Sequence, residues 1–172
     1  MRLRRALKIS LLGGAIALGG LALFVLLWPV PAFRAVLALH VLLAPNYRAA
    51  YSVPATNVEV AVELKPTHPF LAEYERTLIL ANPVNRQEQK MFPDTGGYLR
   101  TNLYSLGGGR FLVKGFFDEW LVQTQPLQIN ESSQTTQPGG TFIGAFDDTG
   151  DGRWRFIPAA ERIEQPLVAR GG

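Results

Sequence analysis

Residues Val58 to Lys65 read VEVAVELK, and this stretch decides the fold of the C-terminal body of the chain. Apolar side chains stand at every second position: Val58, Val60, Val62 and Leu64. Side chains two residues apart share one face of a β-strand, so the pattern predicts a strand with one buried face. Pro66 and Pro69 end the strand, because proline lacks the N–H that a sheet requires.

Further strands are predicted around two glycine-rich turns. The runs 98–106 and 110–117 flank Gly107-Gly108-Gly109, and the runs 141–147 and 153–157 flank the sequence DDTGDG. Two β-rich runs joined by a short glycine-containing connection form a hairpin. Shorter strands are predicted at 77–81, 120–124 and 127–129. We therefore expect residues 57–157 to form a small, mainly antiparallel domain of the β-rich α+β class.

The other parts of this body are expected to be irregular. We interpret 70–76 as a helical turn, 87–97 and 130–140 as loops, and 158–172 as a loosely held C-terminal tail. Eight aromatic residues are expected in the core and on the sheet faces: Phe111, Phe116, Phe117, Trp120, Phe142, Phe146, Trp154 and Phe156.

A twenty-residue apolar run precedes the body. Residues 9–28 read ISLLGGAIALGGLALFVLLW, and as a helix they would extend about 30 Å, the thickness of a bilayer core. Four cations in the tip 1–8 would hold the N-terminus in the cytoplasm: Arg2, Arg4, Arg5 and Lys8. Trp28 would lie at the outer interface. The sequence thus predicts a single-pass protein of the inner (cytoplasmic) membrane with an extracytoplasmic body, or alternatively a cleaved signal peptide.

Small residues on the predicted transmembrane helix suggest a contact with another helix. They are Gly13, Ala15, Ala17, Gly19 and Gly20. Small side chains four residues apart let two membrane helices approach closely, although glycine and alanine are also common in membrane helices generally.

A second apolar segment follows directly. Residues 29–45 include AFRAVLALHVLLA, which is too short to cross a bilayer, so we expect a helix at the outer interface or against a partner. His40 could ligate a metal or haem, but a lone histidine at this position is better explained as an interfacial polar residue. Residues 46–56 are expected to be a connector, with Tyr47 and Tyr51 at the level of the lipid headgroups.

The positive charge of the chain is concentrated at its N-terminus. From Asn46 onward the sequence has 12 basic and 14 acidic residues, a net charge of −2, although the whole chain carries +3. The basic residues of the body are dispersed along the sequence. They therefore do not form the cluster of Lys and Arg with which a protein contacts the phosphates of a nucleic acid. The sequence therefore excludes nucleic acid as the expected partner. The chain has no cysteine, which excludes disulfides and thiolate sites.

Few residues suggest catalysis. A Ser–His–Asp site would require His68 together with Ser105 or Ser52, and no nucleophile-elbow sequence is present. Asp118 and Glu119 are adjacent, so in a strand they would point to opposite faces and could not act as a pair. The glycines at 107–109 join two strands and are interpreted as a turn. We expect no catalytic residues and no cofactor.

One segment resembles a calcium loop in part. Asp147, Thr149 and Asp151 alternate before Gly152, as calcium-binding oxygens do in an EF-hand. The twelfth position of such a loop needs a carboxylate, and here it is Pro158. A hairpin turn rich in aspartate and glycine explains the same residues without an ion.

Together these features predict a non-enzymatic, membrane-anchored accessory or structural subunit. Its helix and outer-face β domain would pack on other subunits of a larger membrane protein complex of respiratory, photosynthetic, secretion or envelope type, in contact with the lipid bilayer. The alternative is an extracytoplasmic ligand-binding module with a pocket between the sheet and its loops. An enzyme would require His68 and two loop carboxylates to meet.

Overall fold

The computed structural model describes residues 29–97, 99–132, 140–148, 150 and 152–167. The predicted cytoplasmic tip, the transmembrane helix 9–28 with its small residues and the interfacial Trp28 lie outside the described residues. Within the part of the chain that the structure describes, no helix is both long enough and apolar enough to span a bilayer.

One helix is described, α1 (Pro29–Leu43), in the segment where a short apolar helix was predicted. Pro29 and Pro31 both lie in the first turn of α1. Proline is tolerated there because the first N–H groups of a helix have no intrahelical partner. Val36, Leu39 and Leu42 on this helix are exposed.

The body folds as two antiparallel sheets, which confirms the predicted β-rich antiparallel fold. The first sheet has the order β1-β2-β3-β4, and the second has the order β10-β9-β5-β6-β7-β8. The strands of the first sheet are β1 (Tyr47–Ser52), β2 (Glu59–Pro66), β3 (Tyr74–Ala81) and β4 (Arg86–Lys90). Those of the second are β5 (Thr101–Gly107), β6 (Arg110–Lys114), β7 (Glu119–Thr124), β8 (Leu127–Glu131), β9 (Thr141–Asp148) and β10 (Trp154–Pro158).

The hydrophobic core lies between the two sheets. As the period of two predicts, Val60, Val62 and Leu64 of β2 are fully or almost fully buried in this core. The second sheet contributes Leu103, Val113, Val122, Phe146 and the aromatic residues Phe111 and Trp120. Phe117, predicted among the core aromatics, is instead 39% exposed because it lies in the turn between β6 and β7 rather than in a strand.

The connector predicted at 46–56 is wrong over half its length, since Tyr47–Ser52 form β1 and pair with β2. Tyr51, expected near lipid headgroups, packs its ring against Phe111 and Phe156 at centroid distances of 6.0 and 4.9 Å. The inward-facing residues of β1 are Ala49 and Tyr51 rather than large aliphatic residues. The alternation of apolar and polar residues that predicts a strand is therefore weak in this part of the sequence.

Two further predictions in the first sheet are corrected. Part of the expected helical turn at 70–76 belongs to β3, which begins at Tyr74, and part of the expected loop at 87–97 belongs to β4. The sequence of β4 is RQEQK, with no apolar residue. β4 is an edge strand with exposed side chains, so the sequence pattern that identifies a half-buried strand is missing there.

The predicted loose tail is also wrong for its first part. Residues 159–167, which we call the strap, are held on the second sheet. The amide of Asn102 donates to the carbonyl of Gln165 (2.9 Å), and the guanidinium of Arg100 donates to the carbonyl of Ile163 (2.8 Å). Leu167 is buried, with 4% of its surface exposed. The strap has no regular alternation of apolar and polar residues, and these long-range hydrogen bonds determine its position.

The two ends of the sandwich differ in composition. We call the end at which Tyr47 begins β1 the entry end; the connections after β2, β4, β6 and β9 also lie there. A backbone bridge joins Tyr74 to Asp94 at this end. The connections after β1, β3, β5 and β7 lie at the opposite end. The entry end therefore brings together segments that are far apart in the sequence.

Candidate functional site: an aromatic cleft at the entry end

A cleft of about 250 Å³ opens between the two sheets at the entry end. The described residues that line it are Tyr47, Leu64, Tyr74, Leu99, Asp148, Gly152 and Trp154. They come from β1, β2, β3, β9, β10 and the neighbouring connections, so only the packing of the sheets assembles the cleft.

Three aromatic side chains form much of the wall. The rings of Tyr47 and Tyr74 have centroids 6.1 Å apart and planes at 80°, an edge-to-face arrangement. The indole N–H of Trp154 donates to the carbonyl of Val62 (3.1 Å), which fixes the orientation of the third ring. The cleft thus has a preorganised aromatic surface.

The cleft also carries negative charge. The Oδ1 atom of Asp148 accepts hydrogen bonds from the backbone N–H groups of Gly150 (2.8 Å) and Gly152 (3.1 Å). Among the described lining residues, Asp148 alone has a formal charge. Burial raises the pKa of the Tyr74 hydroxyl, and electrostatic interactions with Tyr47, Asp94 and Asp148 raise it further. The carboxylate of Asp148 in the wall favours a cation over an anion in the cleft.

Sequence reasoning did not assemble this site. Tyr47 was predicted at the membrane interface, Trp154 in the aromatic core and Asp148 in a hairpin turn, while Tyr74 was assigned no role. The lining residues are separated by up to about a hundred positions, and no local spacing relates them.

A second polar cluster is fully enclosed. Arg76 is 2% exposed, and its guanidinium donates to the hydroxyl of Thr101 and to the carbonyl of Phe92 (3.4 Å). Its Nη1 atom lies 3.9 Å from the Oδ1 atom of Asp118. The other carboxylate oxygen of Asp118 accepts from the Phe92 N–H (2.7 Å) and the Trp120 indole (3.3 Å). The cluster joins the two sheets.

The environment of Arg76 indicates a structural role. Burial lowers the pKa of its guanidinium, and the nearby charges of Asp118 and Asp94 oppose that effect. Gly115 packs so closely that an added Cβ would lie 3.3 Å from the guanidinium nitrogens of Arg76. A cluster this tightly enclosed connects the sheets and leaves no room for a substrate.

The structure uses the carboxylate of the predicted calcium residue Asp147 differently. Its Oδ2 atom accepts from the guanidinium of Arg162 (2.6 Å) and lies 3.6 Å from that of Arg100. The other two candidates, Thr149 and Asp151, lie outside the described residues. Among the residues that are described, no group of three or more histidines and carboxylates could hold a metal ion.

The possible catalytic residues are not brought together. His68 is at the entry end, where its Nδ1 atom accepts from the backbone N–H groups of Phe70 (3.2 Å) and Leu71 (3.1 Å). Ser52 and Ser105 lie at the opposite end, paired with Glu59 and Phe111. Strands of this length separate the two ends by about 20 Å, so His68 cannot act with either serine.

Exposed apolar side chains of the body are also concentrated at the entry end. Phe70 is 72% exposed and Leu71 is beside it, while the exposed rings of Phe92 and Phe117 contact each other at a centroid distance of 5.0 Å. At the opposite end, Val84 is the exposed large apolar side chain among the described residues. Within the described part of the body, exposed large apolar side chains are therefore more frequent at the entry end.

Comparisons with protein-family models, with curated proteins and with solved structures found no significant match to this chain.

Proposed function

We propose that this chain is a non-enzymatic, membrane-anchored accessory subunit that docks on a larger membrane protein complex. The anchor would be the apolar run 9–28, oriented by the four N-terminal cations, with the β-sandwich outside the inner membrane. The observation that carries the proposal is the gathering of exposed apolar side chains at the entry end, the end of the sandwich at which its first strand begins.

The exposed residues have the chemistry of a contact surface. Phe70, Leu71, Phe92 and Phe117 present aromatic and aliphatic groups on loops that the sandwich supports. Exposed groups of this kind are stabilised when a partner removes them from water. In the separate N-terminal unit, helix α1 also exposes Val36, Leu39 and Leu42, which contact with lipid or protein would remove from water.

Native electrophoresis in a mild detergent tests the docking. The wild-type chain should migrate in a larger assembly, and the double variant Phe70→Ser, Leu71→Ser should migrate as the free chain. Val84→Ser is the matched control, since Val84 is 85% exposed at the opposite end. Wild-type migration solely as a free monomer would refute the docking. The intact mass of the native protein tests whether the N-terminal run is retained as an anchor.

A ligand-binding module is the second candidate function. The observation that favours it is the cleft lined by Tyr47, Tyr74 and Trp154, which has a defined volume and an acidic residue in its wall. This function does not exclude the first, because a subunit of a complex can also hold a small molecule.

A further inference from the structure

We propose that the entry-end cleft binds a small alkylated ammonium group, which lies against the rings of Tyr47, Tyr74 and Trp154 with Asp148 as its counter-charge. The inference identifies the ligand class for the second candidate function. It is independent of docking on a complex, and the experiments below measure it separately.

The aromatic wall provides the attraction. An organic cation within about 6 Å of a ring centroid is attracted by the negative face of the ring, and tryptophan is the strongest partner. The nearly perpendicular rings of Tyr47 and Tyr74 form an edge-to-face pair in the wall of the cleft, and Trp154 adds a third aromatic side chain.

The strands that carry the three aromatic residues are held by the fold before a ligand binds. Tyr47 is paired with Leu64 and Tyr74 with Pro66 in the first sheet, while the Trp154 indole is hydrogen-bonded to Val62. Preorganised walls of this kind reduce the entropy lost on binding.

Charge and polarity select an ammonium group that carries alkyl substituents. Asp148 is fixed by the N–H groups of Gly150 and Gly152, and an anion in the cleft would be repelled by its carboxylate. Leu64 and Leu99 add apolar wall. A strongly hydrated metal ion would lose water there and gain, among the described lining residues, a single carboxylate, whereas methyl groups on a cation lose little on contact with apolar side chains.

The size of the cleft limits the ligand to a small group. Pockets for drug-sized molecules have volumes of about 300–1,000 Å³. At about 250 Å³ this cleft suits a trimethylammonium or ethanolammonium head. The same chemistry occurs on free solutes such as choline and on the headgroups of zwitterionic lipids.

Calorimetric titration of the full chain in a maltoside detergent tests the proposal. The probes are choline and its uncharged isostere 3,3-dimethylbutanol, which has the same shape without the charge. We expect choline to bind and the isostere to bind at least tenfold more weakly. Absence of choline binding, or equal binding of both compounds, would overturn the proposal.

Matched variants assign the binding to the cleft. Val84→Ser, at the opposite end, should bind choline as the wild type does, whereas Tyr47→Leu should bind at least fivefold more weakly. Tyr47→Phe, which retains the aromatic ring, should bind more tightly than Tyr47→Leu. Asp148→Asn retains a side-chain oxygen for the glycine N–H groups but removes the charge, and it should lose binding to a similar extent. Unchanged affinity in Y47L and D148N would place any binding elsewhere and reject the cleft.

Nanodiscs distinguish the two sources of the ammonium group. Choline is titrated into the full chain in discs of phosphatidylglycerol and in discs of phosphatidylcholine. If choline binds more weakly in phosphatidylcholine discs than in phosphatidylglycerol discs, the lipid headgroup competes for the cleft and is its occupant. Equal choline binding in both discs supports a free solute. Each of these outcomes supports the cation site, and no binding in either disc counts against it. Native electrophoresis of Y47L tests docking independently.

Discussion

Replacing Asp118 with alanine should destabilise the sandwich strongly, because it removes the carboxylate that is paired with the buried charge of Arg76 and leaves only the nearby charge of Asp94. Arg76 and Asp118 have side-chain exposures of 2% and 8%, so water cannot replace the missing carboxylate. The substitution also removes the acceptor for the N–H of Phe92 and for the indole of Trp120.

The magnitude follows from burial. Removing one partner of a buried ion pair costs about 3–5 kcal/mol, chiefly through the uncompensated charge that remains. Two features place the expected value at the lower limit, about 3 kcal/mol. The charged groups are 3.9 Å apart, and Arg76 keeps its hydrogen bonds to Thr101 and to the Phe92 carbonyl.

The neighbouring residue Glu75 provides a control with the opposite geometry. Its carboxylate accepts a hydrogen bond from Lys90 at 2.8 Å, closer than the pair of Asp118 and Arg76, but the side chains are 48% and 67% exposed. Solvent screens such a pair, so Glu75→Ala should cost less than about 1 kcal/mol.

Urea denaturation of the full chain in a non-ionic detergent, followed by circular dichroism, measures both changes. Under two-state unfolding the midpoint should fall much further for Asp118→Ala than for Glu75→Ala at equal slope. In the double variant Arg76→Met, Asp118→Asn, the loss should be smaller than the sum of the single losses. Equal losses below about 1 kcal/mol for Asp118→Ala and Glu75→Ala would refute the reasoning, since distance would then matter as much as burial.

Three other predictions concern the second sheet and its strap. Leu167→Ala should lower the free energy of unfolding by about 2 kcal/mol because Leu167 is buried, while Ile163→Ala, at an 89% exposed position, should leave it nearly unchanged in the same urea assay. Gly144→Ala should lower the free energy of unfolding by about 1–3 kcal/mol, because the φ of 152° at this position is unfavourable for alanine and the new Cβ would lie 2.5 Å from the ring of Phe156. An unchanged melting temperature would contradict this expectation. Burial, together with the nearby Glu164, raises the pKa of Tyr104 from 10.0 to about 12, although the Asn102 hydrogen bond lowers it. The unfolded chain therefore loses this proton first, and stability should fall as the pH rises from 10 to 12; thermal melts should show a smaller fall for Tyr104→Phe.

Some elements of the fold could be predicted because their signals are local. The period of two in Val58 to Lys65 identified β2, and the glycines between β5 and β6 identified a hairpin. Both signals arise from neighbouring residues: alternate side chains share a face, and glycine adopts the positive φ that a tight turn requires. The prediction of a membrane anchor likewise depends on the length and composition of one continuous run.

Other elements could not be predicted because their stability comes from distant residues. β4 is polar throughout, and it is a strand because β3 supplies its hydrogen bonds. The strap has no strand or helix pattern in its sequence and is held by Arg100 and Asn102, more than sixty positions earlier.

The sequence by itself determined an antiparallel β body and the concentration of positive charge at the N-terminus, since each depends on residues that are close in the chain. Only the tertiary structure decided which side chains meet. Tyr47, Tyr74, Asp148 and Trp154 line one cleft because two sheets pack face to face, and His68 is separated from the serines by the length of the strands. Contacts of this kind depend on how the strands pair and pack, and no spacing along the chain encodes them.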